Sequence, residues 1–302
     1  MKQKISVLKN LNNSHIRAVL VPVSRLADIK NEIIKFREKE ELNDFQKYIV
    51  YERYILDLPA LSFKPESILV AAAKYKFIYV KFIWQGKTAT DIFRLPENEN
   101  EIPDIIRNHG FLSSEEIFWL PQKRIAVQSG LAEYGRNNIV YVPDWGSFFG
   151  IYTYITDIPL SENHVWRDAV CMDICNSCGS CIRDCPTGAI SKDRFLIDNE
   201  ICIPRIVEME QPLPEGVPSN AIHSLNGCLR CQLECVPNKM ILESIKDEII
   251  FDEYETNLML EGVLRENLPH ETQEKLNSFN MRDWNYKGIP RNLKIMLDNA
   301  VD

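Results

Sequence analysis

Between Arg25 and Leu56 apolar side chains return every three or four positions in a charged background, with Leu26, Ile29, Ile33, Ile34 and Phe36 marking one face. Pro59 ends the pattern, so helices are expected over 25 to 56. The period then changes. Ile68 to Ala73 is a short unbroken apolar run, and Lys76 to Trp84 is rich in aromatic and β-branched residues ahead of Gly86, which together read as a pair of strands. Pro96, Pro103 and the polar cluster Glu97 to Glu101 predict a loop. Ser113 and Glu116 have the spacing of a capping box ahead of Ile117 to Leu120, and Pro121 to Ser129 suits another short helix stopped by Gly130. Beyond Lys239 the chain is charged and reads as helical, with Pro269 and Pro290 as breaks.

These elements predict an α+β protein in three parts: a mixed α/β domain over 1–160, a cysteine-rich domain over 161–245 and a helical tail over 246–302. A chain of 302 residues, 45% hydrophobic and 26% charged, has an ordinary globular composition and enough length for a sizeable core. Lys plus Arg number 35 against 43 Asp plus Glu, a formal charge of −8, so nucleic acid would meet net repulsion and is not an expected partner. The most hydrophobic stretch, Ile68 to Trp84, is broken by Lys74, Lys76 and Lys81, which excludes a membrane span there. Met1 to Asn13 has no apolar run of the kind that directs export, so a cytoplasmic setting is expected.

The chemistry is concentrated in nine cysteines, all between Cys171 and Cys235. Disulfides suit small secreted scaffolds, whereas this chain is long, its cysteine count is odd and a reducing compartment is expected. Structural zinc pairs two Cys-x2-Cys units across a dozen or more residues, and the gapless Cys175, Cys178, Cys181 series does not follow that plan. The run Cys175-x2-Cys178-x2-Cys181-x3-Cys185-Pro186 is instead the bacterial ferredoxin spacing for four-iron four-sulfur clusters, in which the fourth cysteine serves a second cluster. Cys228-x2-Cys231-x3-Cys235, followed by Pro237, supplies most of that second set, and the isolated Cys202 completes it. One cluster is therefore assigned to Cys175, Cys178, Cys181 and Cys235, and the other to Cys185, Cys202, Cys228 and Cys231. Cys171 is left over, near Cys175 in sequence, and reads as an ordinary thiol.

Other candidates read more plainly. Glu116 suits a helix-terminal amide better than proton donation. The stretch Gly130 to Asn138 lacks the Lys-Ser/Thr ending of a phosphate-binding loop and reads as a turn. His15, His109, His164, His223 and His270 are scattered singly and make no metal motif.

From Gly130 to Lys239 the chain resembles the epoxyqueuosine reductases, and more distantly the reductive dehalogenases. The resembling elements are Ser129-Gly130-Leu131, Gly135-Arg136-Asn137, Gly146-Ser147-Phe148-Phe149, Asp157-Ile158-Pro159-Leu160, the Cys175 to Ile190 run, Cys202, and Gly227-Cys228 through Cys235-Val236-Pro237-Asn238-Lys239. The resemblance implies a nitroreductase-like N-terminal domain that holds cobalamin and two clusters that feed it electrons. It marks Gly130, Gly135, Arg136 and Ser147 as candidate cofactor-binding residues, with cobalamin or flavin as the bound group. The family's arginine-glycine-aspartate-tyrosine-histidine type segment has no counterpart, because the region reads Ala71-Ala72-Ala73-Lys74-Tyr75-Lys76. Its catalytic aspartate finds no motif match, so no catalytic residue is carried over. Glu133-Tyr134 stands where a tryptophan is expected, and the chain ends soon after Arg291-Asn292-Leu293, where the family continues into helical repeats that help grip tRNA. A divergent, truncated relative is expected.

The leading expectation is an iron–sulfur reductase whose clusters relay single electrons to a small-molecule substrate or a cofactor on the N-terminal domain, supplied by a donor such as ferredoxin or flavodoxin. Two alternatives stand beside it: a non-catalytic electron-transfer partner protein, and a divergent epoxyqueuosine reductase acting on tRNA with cobalamin.

Overall fold

The protein is described by a computed structural model that covers residues 2–39, 41–95, 101–160, 164–208, 211–279, 281 and 286–300. The chain forms two compact units, each assembled from separate segments: 1–74 with 98–178, and 75–97 with 179–302.

The first unit is built on a three-stranded antiparallel sheet. Strand β2 (Ser67–Lys74) lies between β1 (Ile16–Pro22) and β7 (Phe149–Thr156). The unbroken run Ile68 to Ala72 is explained by this position, since a central strand covered on both faces needs apolar side chains on both. Leu69 and Ala71 face Val7, Leu11, Ile102 and Ile106 from helices Lys2–Leu11 and Glu101–Asn108. Helix Gln122–Gln128, with Ile125, Ala126 and Val127 fully buried, packs on β2 and β7. A two-stranded hairpin, β5 (Glu133–Tyr134) with β6 (Val140–Tyr141), follows it.

In the second unit, β3 (Phe77–Trp84) and β4 (Lys87–Arg94) form a tight hairpin. Its turn places Gln85 and Gly86 at φ 50° and 78°, the left-handed pair that a two-residue hairpin requires. Strand β8 (Glu248–Phe251) adds to β3 in parallel, and Phe82 and Phe251 stack with centroids 5.0 Å apart and planes 8° from parallel. Helices Glu253–Leu260, His270–Asn277 and Ile289–Asn299 cover this sheet through Met259, Leu276, Leu293 and Leu297.

Several expectations change. Helices Arg25–Lys39 and Asp44–Tyr48 with the π turn Ile49–Arg53 fill the segment read as helical. The two apolar runs are strands, but they do not pair with each other: β2 joins the first unit and β3 the second. Local pattern sets strand character, whereas partner choice depends on segments far away in sequence. The two compact units have other bounds than the three parts read from the sequence. Residues 75–97 leave the N-terminal part, and the segment read as a helical tail contributes β8 and shares one core with β3 and β4. Residues 96–100 of the expected loop lie outside the described residues, while Glu101–Asn108 is a helix that tolerates Pro103 in its first turn. No helix follows Ser113. That segment runs beside β7, with Ser114 N–H donating to Ile155 O at 2.8 Å and Ile117 N–H to Thr153 O at 2.9 Å, so the pull of a strand edge overrides the capping signal.

Candidate iron–sulfur centre

Among the described residues none of the nine cysteines is joined to another in a disulfide. In the first unit, Cys175 N–H donates to Met172 O and Cys178 N–H to Ile174 O, through the 3-10 turn Asp173–Asn176. Cys171 pairs edge-on with Tyr134 in β5 and is close enough to Cys175 to feel its charge. Burial first, then Cys175, push its thiol up, and Arg136 opposes them.

The second unit carries the other six assigned ligands. Helix Ser180–Arg183 holds Cys181 and helix Arg230–Leu233 holds Cys231, and the two helices pack on each other. Each follows a residue that redirects the chain: Gly179, at φ 67°, caps the first, and Gly227, at φ 85°, precedes Cys228. Cys235 opens the turn Val236–Asn238, whose shape is set by Gln232 O: it accepts from Cys235 N–H at 3.2 Å and from the buried Asn238 side chain at 2.8 Å. Cys202 stands at the start of helix Ile203–Val207, with Pro204 in its first turn.

Three of the four cysteines assigned to the second cluster converge. Burial pushes the Cys202 thiol up to about 12, and Cys228 and Cys185 lie near enough to add to the push. Cys228 is raised for the same first reason, with Cys185 and Asp91 contributing against the Arg230 N–H. Among the described residues no three His, Cys, Asp or Glu side chains stand close enough to share one ion. In a four-iron cluster each thiolate binds a different iron, so the ligands of a cubane need not meet at one ion.

The loop before Cys228 is held by two buried side chains from outside the cysteine segment, and the sequence reading passed over both. Asp91 in β4 accepts from Leu225 N–H at 2.7 Å and Ser224 Oγ–H at 3.0 Å. Asn292, fully buried, donates to Leu225 O at 3.0 Å and to Val207 O at 2.9 Å, so one amide ties the loop that presents Cys228 to the helix that starts at Cys202. Asp91 did leave a trace in sequence: it occupies the inward phase of β4 between Ala89 and Phe93, where an apolar residue is expected.

The candidate cofactor residues lie in the first unit. Gly130 (φ 77°) ends helix Gln122–Gln128, and a β-carbon there would meet Val165 at 3.0 Å. At Gly135 a β-carbon would lie 2.5 Å from the Tyr141 ring and 2.6 Å from Asn137, so the space in front of both glycines is taken by the chain's own side chains. Arg136 is half-buried near Cys171, and Ser147 is buried beside Phe148 and Phe149. Glu116 accepts from the Gln122 side chain at 3.1 Å.

Residues 174–238 match the family described as the 4Fe-4S double cluster binding domain. Among curated proteins, the epoxyqueuosine reductase of Listeria monocytogenes is 28% identical over 115 residues, 38% of this chain and 29% of the relative. That of Cyclobacterium marinum is 31% identical over 119 residues, 39% of this chain and 37% of the relative. The matched segment thus spans well under half the length of these relatives. In fold, the epoxyqueuosine reductase of Bacillus subtilis, in a structure with its catalytic aspartate loop swung out of the active site, superposes with a TM-score of 0.60 at 18% identity, over 98% of this chain and 80% of the other. An epoxyqueuosine reductase with a tRNA-Tyr epoxyqueuosine-modified stem loop gives 0.63 at 19% identity over the same shares. That neighbour, a protein of similar fold, is seen with a tRNA stem loop, whereas the charge of −8 summed over this chain does not describe any local face. Among the described residues no helix is long and apolar enough to cross a membrane. By cysteine spacing and sequence match the chain carries a 4Fe-4S double cluster binding domain over residues 174–238, and it is similar to epoxyqueuosine reductases around that segment and in fold.

Proposed function

We propose that the chain is an iron–sulfur reductase in which the clusters on Cys175, Cys178, Cys181 and Cys235 and on Cys185, Cys202, Cys228 and Cys231 deliver single electrons to a reduction on the N-terminal unit. The substrate class is a modified nucleoside in a tRNA stem loop, as for the relatives named above. A nitroreductase-like N-terminal fold, a cytoplasmic setting and a ferredoxin or flavodoxin donor belong to the same reading. The observation that carries it is the double-cluster spacing of the cysteines, matched over residues 174–238 by the 4Fe-4S double cluster binding domain.

The clusters, when bound, store and release one electron each. The chain's part is to hold the thiolates through the turns at Gly179, Gly227 and Asn238 and to exclude water from Cys202 and Cys228. Arg136 and Ser147 are the polar candidates for contact with cobalamin or flavin on the first unit, and Gly130 and Gly135 set the backbone around them.

The test uses the full chain purified without oxygen. Iron and acid-labile sulfide are assayed, cobalamin and flavin uptake are titrated, and an epoxyqueuosine-containing stem loop is incubated with a chemical reductant. Eight irons per chain with conversion to queuosine supports the reading. Eight irons without conversion removes the substrate and leaves the relay. Protein that binds only zinc removes both.

A further inference from the structure

We propose that the buried carboxylate of Asp91 lowers the reduction potential of the second cluster. The inference rests on the ligand assignment above and adds a residue from a strand that the cysteine motif does not contain.

The two ligand sets are chemically alike: each joins a Cys-x2-Cys unit to a further cysteine followed closely by proline, and their short helices pack together. A difference in potential must come from what surrounds them. Asp91 supplies an asymmetry. It is 5% exposed, between Ala89 and Phe93 on the covered face of β4. Three donors turn toward its carboxylate: Leu225 N–H at 2.7 Å, Ser224 Oγ–H at 3.0 Å and the adjacent Ile92 N–H at 2.7 Å. Among the described residues no Lys, Arg or His forms an ion pair with it. Burial raises its carboxyl to about 6 against these donors, so above neutral pH it carries its charge.

Neutral donors stabilise a carboxylate without cancelling its field, and a buried charge is poorly screened. Geometry joins Asp91 to the second ligand set: the Leu225 N–H from which it accepts at 2.7 Å lies three residues before Cys228. One-electron reduction adds a negative charge to a cluster, and a fixed negative charge beside it opposes that step. The hydrogen bonds give the effect a fixed geometry: Asp91 grips Leu225 and Ser224, and Cys228 follows two residues after Asn226.

The experiment is an anaerobic redox titration of the full chain at pH 8, followed by electron paramagnetic resonance, on wild type, Asp91→Asn, Asp91→Ser and Asp91→Glu, each first assayed for iron. The expected result is eight irons in every protein and a rise in one of the two signals in the neutral variants. That rise corresponds to about a tenfold shift toward the reduced cluster, or about 59 mV for one electron. The Glu variant, which keeps the charge, stays near wild type. Eight irons with both signals unmoved in the neutral variants overturns the proposal. Loss of one cluster in both neutral variants also overturns it, because holding the loop would then be the whole of Asp91's contribution. Wild-type protein without iron and sulfide fells the cluster reading itself, and this inference with it.

Discussion

Asn292, in the last helix, donates its side-chain amide to the carbonyl of Leu225 at 3.0 Å, 67 positions earlier in the chain and three before Cys228. The same amide reaches Val207 O at 2.9 Å, and Arg291 beside it donates to Ile206 O at 2.9 Å. The C-terminal segment is thereby part of the support of the second ligand set.

Replacing Asn292 with Ala removes the donor from the buried Leu225 carbonyl and leaves Val207 O only the longer bond from Arg291, at a cost of about 1–3 kcal/mol. Thermal unfolding should show the loss, and iron content should fall from eight toward four per chain as Cys202 and Cys228 lose their fixed spacing. Retention of eight irons with an unchanged midpoint would refute this.

The cysteine assignment gives distinct outcomes for individual thiols. Cys202→Ser and Cys228→Ser should each lower iron to about four, with loss of one paramagnetic signal. Cys171→Ser should keep all eight, since both ligand sets are complete without it. Iron assay on the three variants is enough to decide.

Asp91 also predicts a pH dependence. Its folded-state value of about 6 lies above the ordinary 3.8, so the folded protein keeps a proton that the unfolded chain has released. This contribution is full below pH 3.8 and is lost as pH rises through 6, about 3 kcal/mol in all and roughly 1 kcal/mol of it between pH 5 and 7. Wild type should lose stability relative to Asp91→Asn over that interval, and a constant difference in unfolding midpoint would contradict the burial argument.

The parallel strand β8 is held to β3 largely through the Phe82–Phe251 stack. Phe251→Ala should cost about 3–5 kcal/mol, because the cavity opens in the centre of the second unit's core. If the segment after 246 were a loosely attached tail, unfolding of the variant would match wild type.

Much of the site was legible in sequence because cluster ligation is specified by short intervals. Cys175 to Cys185 and Cys228 to Cys235 lie in local turns whose glycines and prolines set the backbone, so spacing alone carries the geometry. Cys202 was placed by elimination, and its approach to Cys185 and Cys228 follows that assignment. Asp91 and Asn292 could not be reached this way, since their role depends on where β4 and the last helix come to lie. The capping signal at Ser113 and Glu116 misled for a related reason: a local preference worth about 1 kcal/mol yields to a row of backbone bonds along β7.

What the sequence determined by itself is the cysteine spacing that marks a double-cluster domain and the strand or helix character of most segments, since both depend on neighbours a few residues away. Tertiary structure decided the rest. It sent the adjacent strands β2 and β3 into different units, drew β8 into the second core, and buried Asp91 beside a cysteine loop. Each of these joins segments distant in sequence, and such choices are made by the apolar area and hydrogen bonds of the assembled core, which no local pattern contains.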